Sequence, residues 1–288
     1  MGWITAGAAV VGPAHRHAGR GCEDAFLVST FGGHCLLAAV ADGAGSALRA
    51  ADGAACVVNA ACATMRAWCS VQPTGWTVAD ITDAVAYGWL QAVRATVEAY
   101  AIEQTVPLGD FAATCLFVLA DSHNVVALQI GDGGIALRSP QGSWSPLTWP
   151  LRGEYANETV FITSAEWQET AQIVRGGTAA ALAIFSDGFE ILALNYREHR
   201  VNDHLLNPLA DFLGTVSLAV VQADLDAAMV GYLSNATFDE HAFDDRTLVI
   251  ACQSPPPPKP SSSQATAVLN IFPEAPFPEA PFPKATGS

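Results

Sequence analysis

The stretch Leu37-Ala38-Ala39-Val40-Ala41-Asp42-Gly43-Ala44-Gly45-Ser46 decides how this chain is read. An apolar run without turn signals is the pattern of a buried strand, and here it stops on an acid followed by glycine. The glycines permit a sharp turn and leave the Asp42 carboxylate and the neighbouring carbonyls open to a small ligand. The same arrangement returns at Ala183-Ile184-Phe185-Ser186-Asp187-Gly188. A strand ending in Asp-Gly puts a hard oxygen ligand on a rigid support, and this chain has two of them.

Outward from that stretch, residues 1–12 alternate loosely and predict an edge strand. Residues 12–21 form a polar, glycine-rich loop holding His15, Arg16, His17 and Arg20. Cys22-Glu23-Asp24 then leads into a strand through residue 28, which pairs with the first Asp-Gly strand as a hairpin. Helical spacing covers 50–67 and 77–102, separated by the breaker Gln72-Pro73-Thr74-Gly75. Strands are predicted over 111–120, 125–130 and 134–138, with an extended piece through Trp149, and again over 159–163 and 181–185. The pattern from 189 to 234 is helical, punctuated by Asn207-Pro208 and Gly214. A last strand follows Asp244-Asp245, over 243–251. Strands in hairpin runs with helices in blocks between them predict an α+β fold, a two-layer sheet sandwich flanked by helices.

Past Ser254 the composition changes. Four prolines and three serines precede the repeats Phe-Pro-Glu-Ala-Pro at 272–276 and 277–281. Residues 1–253 therefore form the domain, and 254–288 a Pro-rich tail expected to be disordered. The tail reads as a solvated spacer, or as a ligand for an aromatic groove on a partner.

Acids outnumber bases 28 to 13 in 288 residues, a formal charge of -15. Such a field repels phosphate backbones and anionic lipid, which argues against nucleic-acid or membrane partners. An acidic protein that handles phosphate needs cations to offset its own charge. The seven cysteines are odd in number and form no Cys-x-x-Cys pair, so buried thiols are expected rather than disulfides or zinc. No signal or membrane-spanning segment is read, which gives the expectation of a cytoplasmic protein, and a monomer. Gly43-Ala44-Gly45 is not a dinucleotide loop, because Leu48 stands where the third glycine belongs; there is no Walker loop either.

Four acidic clusters punctuate strands: Glu23-Asp24, Asp42-Gly43, Asp187-Gly188 and Asp244-Asp245, with Asp132 in Gly131-Asp132-Gly133 as a fifth. Carboxylates suit Mg²⁺ or Mn²⁺ rather than zinc or copper. Carboxylates gathered together raise each other's pKa, so such a cluster implies a cation. In this order, Glu23-Asp24-Ala25, Ala41-Asp42-Gly43-Ala44-Gly45, Phe111-Ala112-Ala113-Thr114 leading to Gly131-Asp132-Gly133, Ser186-Asp187-Gly188 and Asp244-Asp245-Arg246-Thr247 resemble the motifs of protein phosphatase 2C-like, metal-dependent serine/threonine phosphatases. The resemblance spans about residues 10–251. Residues 153–159 also resemble a bacterial branch often encoded beside a protein kinase.

That resemblance implies an αββα sandwich with a binuclear Mn/Mg centre at one end of its two sheets. It implies that Asp42 bridges both metals, that the Gly43 carbonyl and Glu23 bind one, and that Asp187 and Asp244 hold the other. Asp24 becomes a direct or water-mediated partner, and Asp132 with Asp187 binds a third ion. It further implies phosphoprotein substrates and a cognate serine/threonine kinase as partner. Two cations sharing a water supply hydroxide near neutrality for attack on phosphorus, so no protein nucleophile is needed. Cys22, accordingly, lacks the arginine-rich phosphate loop of a cysteine phosphatase. Many members place a phosphate-clamping arginine four residues before Glu23, where this chain has Gly19; Arg20 or Arg16 stands in, the alternative being a plain solvated role. Ala44 replaces a histidine of the animal enzymes, which leaves His15 or His17 as general acid, or both as loop-structural residues. The rival reading is a catalytically inert module of the same fold that recognises a kinase or phosphoprotein.

Overall fold

The computed structural model describes residues 2–151, 159–216 and 220–254. In chain order the elements are β1 (Trp3–Val10), α1 (Pro13–Ala18), β2 (Asp24–Phe31), β3 (Cys35–Asp42), α2 (Ala50–Ser70), α3 (Asp83–Gln104), β4 (Cys115–Ala120), β5 (Val125–Ile130), β6 (Gly134–Arg138) and β7 (Trp144–Pro146). They continue with α4 (Trp167–Thr170), β8 (Gln172–Gly176), β9 (Ala181–Phe185), α5 (Asp187–Ala193), β10 (Leu194–Asn195), β11 (Arg200–Val201), α6 (Asp203–Thr215), α7 (Gln222–Leu233), α8 (Ala236–Asp239) and β12 (Arg246–Gln253). Two five-stranded antiparallel sheets result, ordered β1-β12-β9-β6-β7 and β2-β3-β4-β5-β8, beside a two-stranded ribbon of β10 and β11.

Strand β3 shows why the layers stack. Leu36, Ala38 and Val40, with Leu116 and Val118 of β4, face the other sheet, where they join Leu182, Ile184 and Val249. Leu37, Ala39 and Ala41 face the opposite way, onto Ala54, Val57, Val58 and Ala61 of α2. A strand covered on both faces has no polar alternation, which is why its sequence is one apolar run. Helices α2 and α3 cover that outer face, while α5, α6, α7 and α8 cover the outer face of the other sheet around Phe189, Leu206, Met229 and Phe238. The architecture is the four-layer αββα sandwich.

Several sequence expectations are corrected. The glycine-rich loop 12–21 contains helix α1, opened by Pro13 at its first position, where a fixed φ suits a helix and the missing N–H costs nothing. The run 111–120 begins with a 3₁₀ turn over Leu108–Phe111, so β4 starts at Cys115. No strand occupies 159–163, which is irregular and turning; the edge strand β8 lies instead just beyond α4. The span 189–234 is broken by the β10–β11 ribbon, and α6 runs through Pro208 rather than stopping there. As expected, β1 lies at a sheet edge. The kinase-associated resemblance at 153–159 falls almost wholly outside the described residues, and the Pro-rich tail beyond Ser254 falls outside them entirely. Among the described residues no helix is long and apolar enough to cross a membrane.

Candidate metal centre

The acids meet because antiparallel pairing brings strand ends together at one edge of the sandwich. In the β2–β3 hairpin Asp24 is directly opposite Asp42. Strand β9 ends at Phe185, so Asp187 opens α5 in the neighbouring sheet, while Asp244 and Asp245 stand just before β12. The turn carrying Asp132 joins β5 in one sheet to β6 in the other.

Asp24 is buried, and its Oδ2 accepts hydrogen bonds from Ser186 Oγ (2.7 Å), just past β9, and from Thr247 Oγ1 (2.7 Å) in β12, both on the side of the opposite sheet. Its carboxyl is also within hydrogen-bond reach of Asp42, and Asp42 within reach of Asp187. The Asp42 backbone is held by Thr114, whose Oγ1 accepts the Asp42 N–H (2.8 Å) and whose own N–H donates to the Asp42 carbonyl (2.8 Å). Glu23 lies alongside: its carbonyl accepts the Gly43 N–H at 3.1 Å. Asp132 accepts from Thr159 Oγ1 through Oδ2 (2.7 Å). Its turn is shaped by the buried Gln129, whose amide donates to the carbonyls of Gly131 and Gly133, and by Glu190, which accepts the Gly133 N–H.

Crowding shows in the proton affinities. Burial, outweighing the two hydroxyl donors, pushes the Asp24 carboxyl up to about 6. Asp42 is driven well above the usual carboxylate range by burial and then by the charges of Asp24 and Asp187. Asp187 is driven the same way by burial and then by Asp132, Asp244 and Asp24. Two carboxylate oxygens here are buried without a hydrogen-bond partner, Glu23 Oε2 and Asp187 Oδ1. Buried acceptors left bare in a nest of like charges fit a divalent cation, and every donor in the set is a hard oxygen. The expected set Glu23, Asp24, Asp42, Gly43, Asp132, Asp187 and Asp244 is thus gathered in one place.

The basic residues divide. Arg20 is part-exposed and donates to Glu23 Oε1 from Nε (3.0 Å) and from one terminal nitrogen (2.5 Å), which puts its guanidinium at the edge of the cluster. Arg16 pairs instead with Asp239, which also binds the fully buried Arg246, so Arg16 is committed to joining α1, α8 and β12. His17 is exposed, with Nδ1 3.2 Å from the Pro13 carbonyl. His15 is buried, with Nδ1 2.8 Å from Asp245 Oδ2. Sequence reading missed Ser186, Thr247, Gln129 and Glu190 as supports. Ser186 and Thr247 stand inside quoted motifs, one residue before Asp187 and three after Asp244, and that adjacency was the available signal.

Residues 11–233 match the family model described as Protein phosphatase 2C. The chain is 32% identical over 265 residues to Serine/threonine-protein phosphatase 3 of Escherichia coli (strain K12), covering 87% of this chain and 98% of that protein. Among solved structures it is similar to a bacterial serine phosphatase (TM-score 0.56, 14% identity, 88% of this chain and 98% of that one). It is similar also to PppA, a regulatory component of T6SS in Pseudomonas aeruginosa (TM-score 0.56, 15% identity, 88% and 98%). A sex determining protein of C. elegans shares the fold at TM-score 0.61 and 12% identity, over 88% of this chain and 65% of that one. With a family model matched over most of its length and a relative above 30% identity along nearly the whole of that relative, the chain belongs to the protein phosphatase 2C family.

Proposed function

We propose that this chain hydrolyses phosphoserine and phosphothreonine esters in proteins with two divalent cations, Mn²⁺ or Mg²⁺, held by the acidic cluster. By family it is a protein-serine/threonine phosphatase, and the family is metal-dependent. The observation that carries the finer reading is the meeting of the buried Asp24 with the half-buried Asp42 and Asp187, beside the bare oxygens Glu23 Oε2 and Asp187 Oδ1. In this reading Asp42, Glu23, the Gly43 carbonyl, Asp187 and Asp244 would hold the two ions, and Asp132 with Asp187 would hold a weaker third. Bound there, the cations lower the pKa of a water and offset charge on the phosphoryl oxygens.

The chain's own residues do the rest. Ser186 and Thr247 hold Asp24 through Oδ2, which leaves Oδ1 free to orient a water or hold its proton. Thr114 fixes the Asp42 backbone, so its carboxylate does not swing away. Arg20, at the solvent edge and aimed at Glu23, is the side chain placed to receive a phosphate oxygen by charge-assisted hydrogen bonds. The substrate is a phosphoprotein, and a serine/threonine kinase that phosphorylates it is the natural counterpart. The domain occupies residues 1–253.

The test is a Mn²⁺ titration of p-nitrophenyl phosphate and phosphopeptide hydrolysis by chelator-stripped protein. Activity returns with Mn²⁺ in the native protein and is lost in Asp42→Ala and Asp187→Ala by more than the about 100-fold that marks loss of an outer partner. Metal-replete protein that cleaves neither substrate overturns the reading in favour of an inert binding module.

A further inference from the structure

Asp245 is 1% exposed, and both of its carboxylate oxygens are taken by groups from other segments. Oδ1 accepts the Gly12 N–H at 2.7 Å, just past the end of β1. Oδ2 accepts the Glu23 N–H at 2.6 Å, just before β2, and lies 2.8 Å from His15 Nδ1 in α1. The far nitrogen of the same ring, His15 Nε2, stands 3.8 Å from Glu23 Oε2, the bare buried oxygen. The adjacent acid behaves differently: Asp244 is exposed, and its Oδ1 accepts the Asp245 N–H at 2.8 Å. His15, Asp244 and Asp245 bring one ligand atom each to within 4.8 Å of one another, and both oxygens of Asp245 are already engaged by backbone N–H groups. Packing here is close enough that a Cβ on Gly12 would sit 2.1 Å from the Asp244 carbonyl.

We infer that Asp245 and His15 are positioning residues that hold the Glu23-bearing strand start of one sheet in register with the Asp244-bearing strand start of the other. This rests on the proposed metal centre, since it is the ligand role of Glu23 and Asp244 that gives the register its value. The Glu23 backbone is pinned by Asp245 and its side chain is flanked by His15, so the carboxylate is aimed before any cation arrives. The orientation of the His15 ring is set by its Nδ1 contact with Asp245, which leaves Nε2 facing Glu23. A preoriented ligand costs less ordering on metal binding, and groups of this kind are worth about 10–100-fold in metal affinity.

The experiment measures Mn²⁺ binding to the full-length, chelator-stripped protein by isothermal titration calorimetry, alongside the Mn²⁺ concentration for half-maximal hydrolysis. His15→Ala and Asp245→Asn are expected to weaken Mn²⁺ binding about 10–100-fold. His15→Asn, whose amide nitrogen replaces Nδ1, is expected to recover most of the loss, and the exposed His17→Ala to bind as the native protein does. The half-maximal Mn²⁺ concentration rises more than the maximal rate falls. Circular dichroism and melting in EDTA identify any variant that fails to fold, and the others then decide. Folded His15→Ala and Asp245→Asn proteins with native Mn²⁺ affinity overturn the inference, as does a collapsed maximal rate at native affinity, which would make His15 a direct participant. Native protein that binds no Mn²⁺ overturns the metal-centre reading itself.

Discussion

At Asp24, Asp42 and Asp187 three carboxyl groups crowd one another, and burial and their mutual charge raise their proton affinity. Their proton affinities are raised in the folded state above the ordinary value of about 3.9 that they regain on unfolding. The folded protein therefore binds more protons than the unfolded chain between those values, and stability falls as pH rises. The contribution is fully present below about pH 4 and is lost for Asp24 as pH rises through about 6; Asp42 and Asp187, raised in the same direction, add to the loss with rising pH. Chelator-treated protein is thus expected to melt lower at pH 8 than at pH 5, with Mn²⁺ restoring the loss and Asp42→Asn flattening the slope. A melting temperature in EDTA as high at pH 8 as at pH 5 would count against this account of the cluster. Burial acts on the thiols in the same direction: it pushes Cys62 up to about 12 and raises Cys22 as well, so neither is a ready nucleophile. Iodoacetamide is expected to leave turnover unchanged, and a matching loss of activity would implicate a thiol. The acids themselves were legible because each follows or precedes an apolar run. The distinct jobs of the adjacent pairs were not: nothing in Glu23-Asp24 or Asp244-Asp245 says which carboxylate faces the cluster and which is saturated by hydroxyls or amides.

Helix α2 owes its place to an alanine-rich face and to one close approach. Gly53 faces Phe111 so closely that a Cβ would lie 2.4 Å from its carbonyl oxygen, so the α2 backbone rests on the 3₁₀ turn before β4. Gly88 in α3 has nothing within 4 Å of its Cβ position. Both are helix-interior glycines, where alanine is worth about 1 kcal/mol by intrinsic propensity. Gly88→Ala is expected to raise the melting temperature by roughly 2–4 °C. Gly53→Ala is expected to lower it, because backbone on both sides leaves nothing to yield. Equal shifts in thermal melts of the two would remove the packing argument. Long elements such as α2, α3, β3 and β9 were legible from periodicity and uniform apolarity. Short ones were not: α1 has only six residues, and β8 is a half-buried edge strand whose Gln172-Ile173-Val174-Arg175-Gly176 lacks a clear alternation. Pro208 reads as a stop, yet packing of Leu205, Leu206, Leu209 and Ala210 into the core carries α6 past it.

The molecule as a whole carries a large negative charge with its densest acids at one end of the sandwich, a field that gathers divalent cations and repels bare phosphate until they are bound. The Pro-rich segment is the part whose removal should matter least to chemistry. A chain ending at Ser254 is expected to keep its turnover within about twofold, as a solvated spacer would allow, and phosphopeptide assays on both lengths check this. A large loss would assign the tail a working role. From strand runs alternating with helical blocks the sequence determined the α+β class and a sheet sandwich, and the ordered acidic motifs, through their resemblance to the protein phosphatase 2C family, named the set of acids. Only the tertiary structure decided that Asp24 is locked by Ser186 and Thr247, that Arg16 is spent on Asp239 while Arg20 borders the cluster, and that His15 faces Asp245. Apart from the local Arg20–Glu23 pair, three positions apart, those contacts join residues 162, 223, 223 and 230 positions apart, and pairings of that range are set by packing rather than by local pattern.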